Sequence, residues 1–181
     1  NSTIGDIKNI WETSRFSWVI ILAHAYRSSG DKKYLYYLNH WCKDWIRNNP
    51  INKGPNWKCG QEASLRLINL LIALIILGQD KRPTVLMIEF IVEHLKRINS
   101  NFLYSIAQNN NHGISEAAGL YLGGAFLQYV NNIKYPFAKK YNIKGRKWLE
   151  NRINKLVMED GSFSQHSTVY HRMVLDILSS V

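Results

Sequence analysis

Gln61-Glu62-Ala63-Ser64-Leu65-Arg66-Leu67-Ile68-Asn69-Leu70-Leu71-Ile72-Ala73-Leu74-Ile75-Ile76-Leu77 is apolar on almost every side. A run of this length with no Gly or Pro inside it reads as one helix, ended by Gly78. Its lack of a polar face predicts burial all round. It holds the most apolar stretch of the chain, Leu65 to Gly78. Arg66 and Asn69 interrupt that stretch, and it is too short to cross a bilayer. A helix buried on all sides needs other helices around it.

The flanking sequence supplies them. From Asp6 to Ser29 apolar residues recur at three and four (Ile7, Ile10, Trp11, Phe16, Val19, Ile20, Leu22, Ala23, Tyr26), and Gly30 closes the run. Asp31 reads as the N-cap of a second helix, carrying Leu35, Leu38, Trp41, Cys42, Trp45 and Ile46 and stopped by Pro50. A loop rich in Asn, Gly, Pro and Lys covers Asn48 to Gly60. Beyond Gly78, Pro83 suits the first turn of a helix to about Arg97. A short apolar piece, Phe102 to Ala107, follows. Ser115 is the expected N-cap of a helix through Tyr129. A basic helix spans Phe137 to Met158, and a last helix starts near Ser167 after the turn Glu159-Asp160-Gly161-Ser162. No segment reads as a strand. The pattern predicts an all-α fold of antiparallel helical hairpins. No strict repeat supports a regular solenoid.

Composition narrows the class. The 181 residues are 46% hydrophobic and 12% aromatic, enough for one domain with a real core and too much for a disordered chain. Lys and Arg number 23 against 13 Asp and Glu, a net charge of +10. A strongly basic chain meets polyanions: nucleic acid, an acidic membrane face or an acidic polysaccharide. The two cysteines, Cys42 and Cys59, set up no disulfide framework and read as unpaired buried thiols. The chain starts at Asn1 without an initiator Met or signal peptide and stops within the apolar run Val174 to Leu178, which reads as a piece of a larger protein.

Three loops carry chemistry that the helices do not need: Lys53 to Glu62, Gln108 to Glu116 and Asp160 to Arg172. In a hairpin stack such loops can share one rim. The middle loop has Asn109, Asn110 and Asn111 before His112, with Glu116 four residues on. An amide both donates and accepts, so it can bind a carboxylate or hydroxyl without charge. His112 and Glu116 at i, i+4 would face each other. The sharp reading is an oriented histidine beside an anion-binding amide; the plain one is a capping cluster. Zinc lacks a second histidine or cysteine at ligand spacing. The third loop places His166, Tyr170, His171 and Arg172 within seven residues. Tyr170 can serve as a proton-transfer group there, with His166 beside it at i, i+4, or it can simply pack on the core behind a Ser167 cap. In the first loop Glu62 and Arg66 at i, i+4 predict an ion pair holding the rim, with direct sugar or carboxylate contact as the alternative. Trp57 is a stacking platform for a sugar or a loop plug. The basic run Lys134, Lys139, Lys140, Lys144, Arg146, Lys147, Arg152 and Lys155 faces only Glu150. It is either a solvated face or a surface that steers a polyanion.

Taken in order, these blocks resemble the heparinase II/III-like polysaccharide lyase superfamily. Asp6-Ile7-Lys8 with Trp11-Glu12-Thr13-Ser14-Arg15 is similar to the start of that family's helical domain. Asn56-Trp57 with Glu62 and Arg66 is similar to its next block. Asn111-His112 with Glu116, Ala117, Gly119 and Leu120 resembles the block with its catalytic asparagine and histidine. Asp160-Gly161-Ser162 with Ser167 and Tyr170-His171 resembles the block with its catalytic tyrosine. The resemblance covers nearly the whole chain. It implies an incomplete (α/α) toroid over residues 1–181, as a fragment lacking a C-terminal β-sandwich domain. Gln165 departs from the pattern, since many relatives carry glutamate there. The variant is closer to bacterial members linked to surface polysaccharide.

The activity the resemblance implies is β-elimination at a uronic acid. Asn111 would neutralise the substrate carboxylate, His112 would assist, and Tyr170 would move the C5 proton or protonate the leaving oxygen. Trp57, Glu62, Arg66, Glu116, His166, His171 and Arg172 would bind substrate. The chemistry needs no cofactor and no metal. The implied partner is an acidic polysaccharide rather than nucleic acid, with no membrane span, and a periplasmic or secreted location is favoured. The rival readings are a non-catalytic glycan-binding toroid, an (α/α)-toroid glycoside hydrolase, which would want two carboxyls flanking one cleft, and a helical nucleic-acid binder, for which no recognised motif is present.

Overall fold

A computed structural model describes residues 5–130 and 135–181. Lys134, the first member of the basic run, lies outside the described residues. The elements among them are α1 (Lys8–Thr13), α2 (Ser17–Ser29), α3 (Lys32–Asn48), a 3-10 turn (Pro55–Trp57), α4 (Gly60–Ile76), α5 (Val85–Ser100), α6 (Phe102–Ala107), α7 (Asn111–Tyr129), α8 (Pro136–Leu156) and α9 (Thr168–Leu178). The class is all-α. The only β-type pairing among these residues is an isolated bridge between Val157 and Phe163.

Local chemistry accounts for most helix ends. The Asp31 carboxylate accepts from Lys33 N at 2.9 Å and starts α3. Gly30 takes a left-handed φ of 69° and donates to Tyr26 O, closing α2. Past α4, Gly78 N donates to Ile75 O and Gln79 N to Leu74 O, with Gly78 at φ 65°. Two expected starts move. Thr84, not Pro83, begins α5: its hydroxyl accepts from Met87 N, which leaves Pro83 one residue outside. Asn110, not Ser115, caps α7, its side chain accepting from His112 N at 3.0 Å. Ser115 instead lies buried inside the helix and donates back to Asn111 O and His112 O.

The single run expected from Asp6 to Ser29 is two helices. Phe16 sits at φ 65°, a left-handed conformation that breaks the run between α1 and α2. Its ring is 1% exposed, in van der Waals range of Trp45 and Phe90. The carbonyls freed by the break are taken by α4: Arg66 donates to Ser14 O and Asn69 to Arg15 O. The kink is therefore held by polar side chains about fifty residues away.

Helices α4 and α7 form the centre. α4 packs on α2, α5 and α7, and α7 also packs on α5, α6, α8 and α9. α4 is buried along almost its whole length, as its sequence requires. α7 and α8 approach so closely that a Cβ on Gly124 would lie 2.7 Å from Ala138 O and one on Gly145 2.6 Å from Ala117 O. These contacts also show that α7 and α8 run antiparallel, so that the start of α7 meets the end of α8. There the buried Arg152 guanidinium donates to Ile106 O and to Asn109 Oδ1, fixing the loop before α7. No helix among the described residues is long and apolar enough to cross a membrane. Cys42 and Cys59 are both free.

Candidate active site

The three chemistry-bearing loops meet at the N-terminus of α7. Asn111 is 2% exposed. Its Nδ2 donates to Gln61 Oε1 at 2.5 Å, at the first turn of α4. Its backbone N donates to Gln165 Oε1 at 2.8 Å, from the loop before α9. Its Nδ2 also lies 3.9 Å from Met173 Sδ on α9. One residue thus touches all three segments. Tyr170 is one turn before Met173 on the same helix, part-buried against the core, behind the Ser167 cap that accepts from Tyr170 N. The loop that delivers α9 is folded back by Met158 N donating to Ser162 O and Ser164 N to Leu156 O.

The Gln61 acceptor fixes the amide of Asn111. One Nδ2 hydrogen goes to Gln61; the other faces only a thioether, a weak acceptor. That second N–H is the donor an incoming anion can take at small cost. His112 is part-buried, with Nδ1 3.8 Å from Cys59 Sγ. Burial lowers the His112 pKa against the opposing pull of Glu62. The ring is therefore neutral at neutral pH and able to accept a proton.

A groove of about 660 Å³ runs between α9, α2 and α4, and Met173, whose Sδ meets the Asn111 amide, is one of its lining residues. Arg15, Asn69, Arg172 and Met173 line it, with Glu12 and Asp176 on its margins. Arg172 is exposed and lies 3.7 Å from Asp176, an exposed pair of little energetic weight. Arg15 is fixed by Glu62: Nε to Oε2 at 2.7 Å and Nη2 to Oε1 at 2.9 Å.

Several expectations change here. Glu62 pairs with Arg15 rather than with Arg66. Arg66 is fully buried, donating to His94 Nε2, Ser14 O and Asn56 O. Trp57 is 2% exposed and its indole donates to Asn49 O, so it plugs the loop and offers no face to a sugar. Arg66 and Trp57 thus shape the rim from beneath and cannot touch a ligand. His112 turns to Cys59 and not to Glu116. Glu116 is 3% exposed, wedged against Gly60, where an added Cβ would lie 2.6 Å from its carboxyl. His166 is exposed at φ 49°, ahead of α9, so the helical i, i+4 relation to Tyr170 does not apply. His171 is half-buried in the first turn of α9. Two residues outside the expected substrate and catalytic set, Gln61 and Arg15, prove central. A buried polar residue at the start of an otherwise apolar helix was the available sign for Gln61. Nothing local in the sequence links Arg15 to Glu62.

Burial pushes the Glu116 carboxyl up to about 7, and its Oε2 has no hydrogen-bond partner. At about pH 4 folded and unfolded forms are both largely protonated. As pH rises from about 4.5 to about 7 the unfolded chain is ionised while the folded carboxyl still holds its proton, so stability falls across that window and levels off above it. Glu116→Gln removes that dependence. Between about pH 4 and pH 8 the stability difference should shift in the variant's favour by on the order of 3 kcal/mol. Denaturant unfolding at the two pH values checks it, and a pH-independent difference would refute it. Among the described residues no three His, Cys, Asp or Glu side chains gather as a metal site would require.

The family model described as Heparinase II/III N-terminus matches residues 5–181. The chain belongs to this family. It is 29% identical over 163 residues to a heparin-sulfate lyase of Bacteroides thetaiotaomicron, covering 87% of this chain and 22% of the relative. It is 26% identical over 176 residues to a heparin-sulfate lyase of Pedobacter heparinus, covering 92% of this chain and 25% of that one. A heparin-sulfate lyase of Bacteroides stercoris is 24% identical over 187 residues. The chain thus spans about a quarter of the length of the curated relatives it matches. No solved structure matches it.

Proposed function

We propose that the whole protein is a polysaccharide lyase acting on a uronic-acid glycan by β-elimination, and that this chain supplies one wall of its cleft. On this reading the helical hairpins are part of an incomplete (α/α) toroid, completed outside these residues by a β-sandwich domain. The observation that carries the proposal is the setting of Asn111. It is buried, its amide is fixed by Gln61, one N–H is left nearly free, and the Met173 that this amide meets also lines the groove of Arg15 and Arg172.

The chemistry demands such a donor. The C5 proton of a uronic acid is weakly acidic, because the carbanion must spread its charge into the carboxylate. A fixed donor at that carboxylate, away from bulk water, lowers the barrier where charge develops. The first backbone N–H groups of α7 add a positive partial charge at the same place. Tyr170 moves the C5 proton or protonates the leaving oxygen, and neutral His112 assists. Arg172 and two histidines, His166 in the loop before α9 and His171 in its first turn, meet neighbouring sugars.

Hydrolysis finds less support. It wants two carboxyls across one cleft. Glu62 is engaged by Arg15, Glu116 is sealed against Gly60, and Asp160 is exposed in a turn, accepting from Ser162 N. The test is whole protein incubated with heparin sulfate, as named for the relatives, and with other uronic-acid glycans. Elimination gives an unsaturated product absorbing in the near ultraviolet. Binding without that product would instead mark a non-catalytic glycan-binding protein.

A further inference from the structure

We propose that the outer face of α8 is a second binding site for anionic polysaccharide, separate from the groove between α2, α4 and α9. The proposal rests on the acidic-glycan reading above for its ligand class.

A surface groove of about 580 Å³ lies along the first half of α8, lined by Lys139, Lys140, Ile143, Lys144, Lys147 and Trp148 among others. Lys140, Lys144 and Lys147 stand at i, i+4 and i+7, so they form one stripe, and Lys139 flanks it. Among the described residues none of the four pairs with an acid. The single acid of α8, Glu150, is held by Arg146 at 2.9 Å. Lys144 is anchored: its Nζ donates to Asn99 Oδ1 at 2.7 Å and sits 4.4 Å over the Phe102 ring. Burial and the neighbouring charge of Lys140 lower its pKa. Four like charges therefore stand together without a counter-charge, a cost that an anion would relieve.

The stripe is on a rigid element. Gly124 and Gly145 bring the α7 and α8 backbones into direct contact alongside the lysines. The same contact sets the distance from the catalytic rim. Gly145 rests against Tyr121, ten residues beyond Asn111, or about 15 Å along the α7 axis. The stripe lies against the end of α5 and the start of α6, at Asn99 and Phe102, whereas the other groove is lined by α2, α4 and α9, so one long chain is needed to touch both. Polysaccharide is favoured over nucleic acid by the lining. A base-binding strip wants exposed aromatic faces, whereas Trp148 is half-buried, edge-on to Phe102 at 6.4 Å. Ammonium groups around an apolar floor that presents no open ring face suit carboxylates or sulfates on a sugar chain.

The experiment uses whole protein with Lys139, Lys140 and Lys147 all changed to Gln, leaving the anchored Lys144 in place. Heparin sulfate polymer should bind on the order of ten-fold more weakly at low salt. The salt dependence of binding should flatten. Turnover of a tetrasaccharide should be unchanged. Unchanged polymer binding would overturn the proposal. So would duplex DNA binding as tightly as the glycan with the same sensitivity to the three changes, because the face would then be a general polyanion surface. The binding arm is repeated in an Asn111→Ala background, so absence of lyase activity and absence of the second site give different results.

Discussion

Tyr170→Phe and Asn111→Ala, each made in the whole protein, are expected to remove most elimination activity on a uronic-acid glycan. Alanine at 111 deletes the buried amide donor that the proposed chemistry assigns to the substrate carboxylate. Loss of a single oxyanion-type donor costs about 10²–10³-fold in turnover. Phenylalanine at 170 keeps the ring packed on the core and removes only the hydroxyl, so the loss reports proton transfer, about 10²–10⁴-fold. The two changes act on one transition state, so their effects should not multiply in the double variant. Both variants should keep their helix content, since Tyr170 is only part-buried and Asn111 loses one side-chain hydrogen bond to Gln61. The readout is initial rate of near-ultraviolet product. Substantial activity surviving in both variants would sink the assignment of these residues.

The parts of this molecule set by neighbours in sequence were legible; the parts set across the fold were not. Asp31, Gly30, Gly78 and Ser167 act on their own turns, and each ends or starts a helix where its chemistry predicts. The central burial of α4 followed from its composition alone. The errors have one cause. Phe16 breaks the first helix because Arg66 and Asn69 of α4 take the carbonyls of Ser14 and Arg15. Glu62 leaves its i, i+4 neighbour because Arg15, reached only through that kink, offers a two-pronged partner. Asn110 outcompetes Ser115 as a cap because Gln165 and Arg152 hold the preceding loop in place. The meeting of Asn111 with Gln61 and Gln165 joins residues about fifty positions apart on either side. Spacing could suggest that the loops share a rim, but it could not name the amides that fix Asn111.

The largest stability effect is expected at Arg66. Its guanidinium is fully buried, and burial pulls its pKa down to about 9, which leaves it charged at neutral pH. Arginine only donates, so His94 accepts at Nε2 and directs its Nδ1 proton to Phe90 O, 2.7 Å away. The same guanidinium lies 4.4 Å over the Trp45 ring and 5.4 Å over Trp57. Arg66→Met keeps the stem but orphans His94 Nε2, Ser14 O and Asn56 O in a dry core. Each buried unsatisfied group costs about 1–3 kcal/mol. The relief of no longer burying a charge offsets part of that, leaving a net loss of about 3 kcal/mol or more. For a domain of this size that lowers the unfolding temperature by roughly 6–12 °C. Arg66→Lys should fare no better, because an ammonium on a shorter fork cannot reach three diverging acceptors while its charge stays buried. The decisive measurement is thermal unfolding of the helical region in the whole protein, followed with tryptophan fluorescence. Trp45 and Trp57 stack on the group removed, so they report the site directly. A methionine variant melting within a degree or two of the native protein would mean that the kink at Phe16 holds without Arg66.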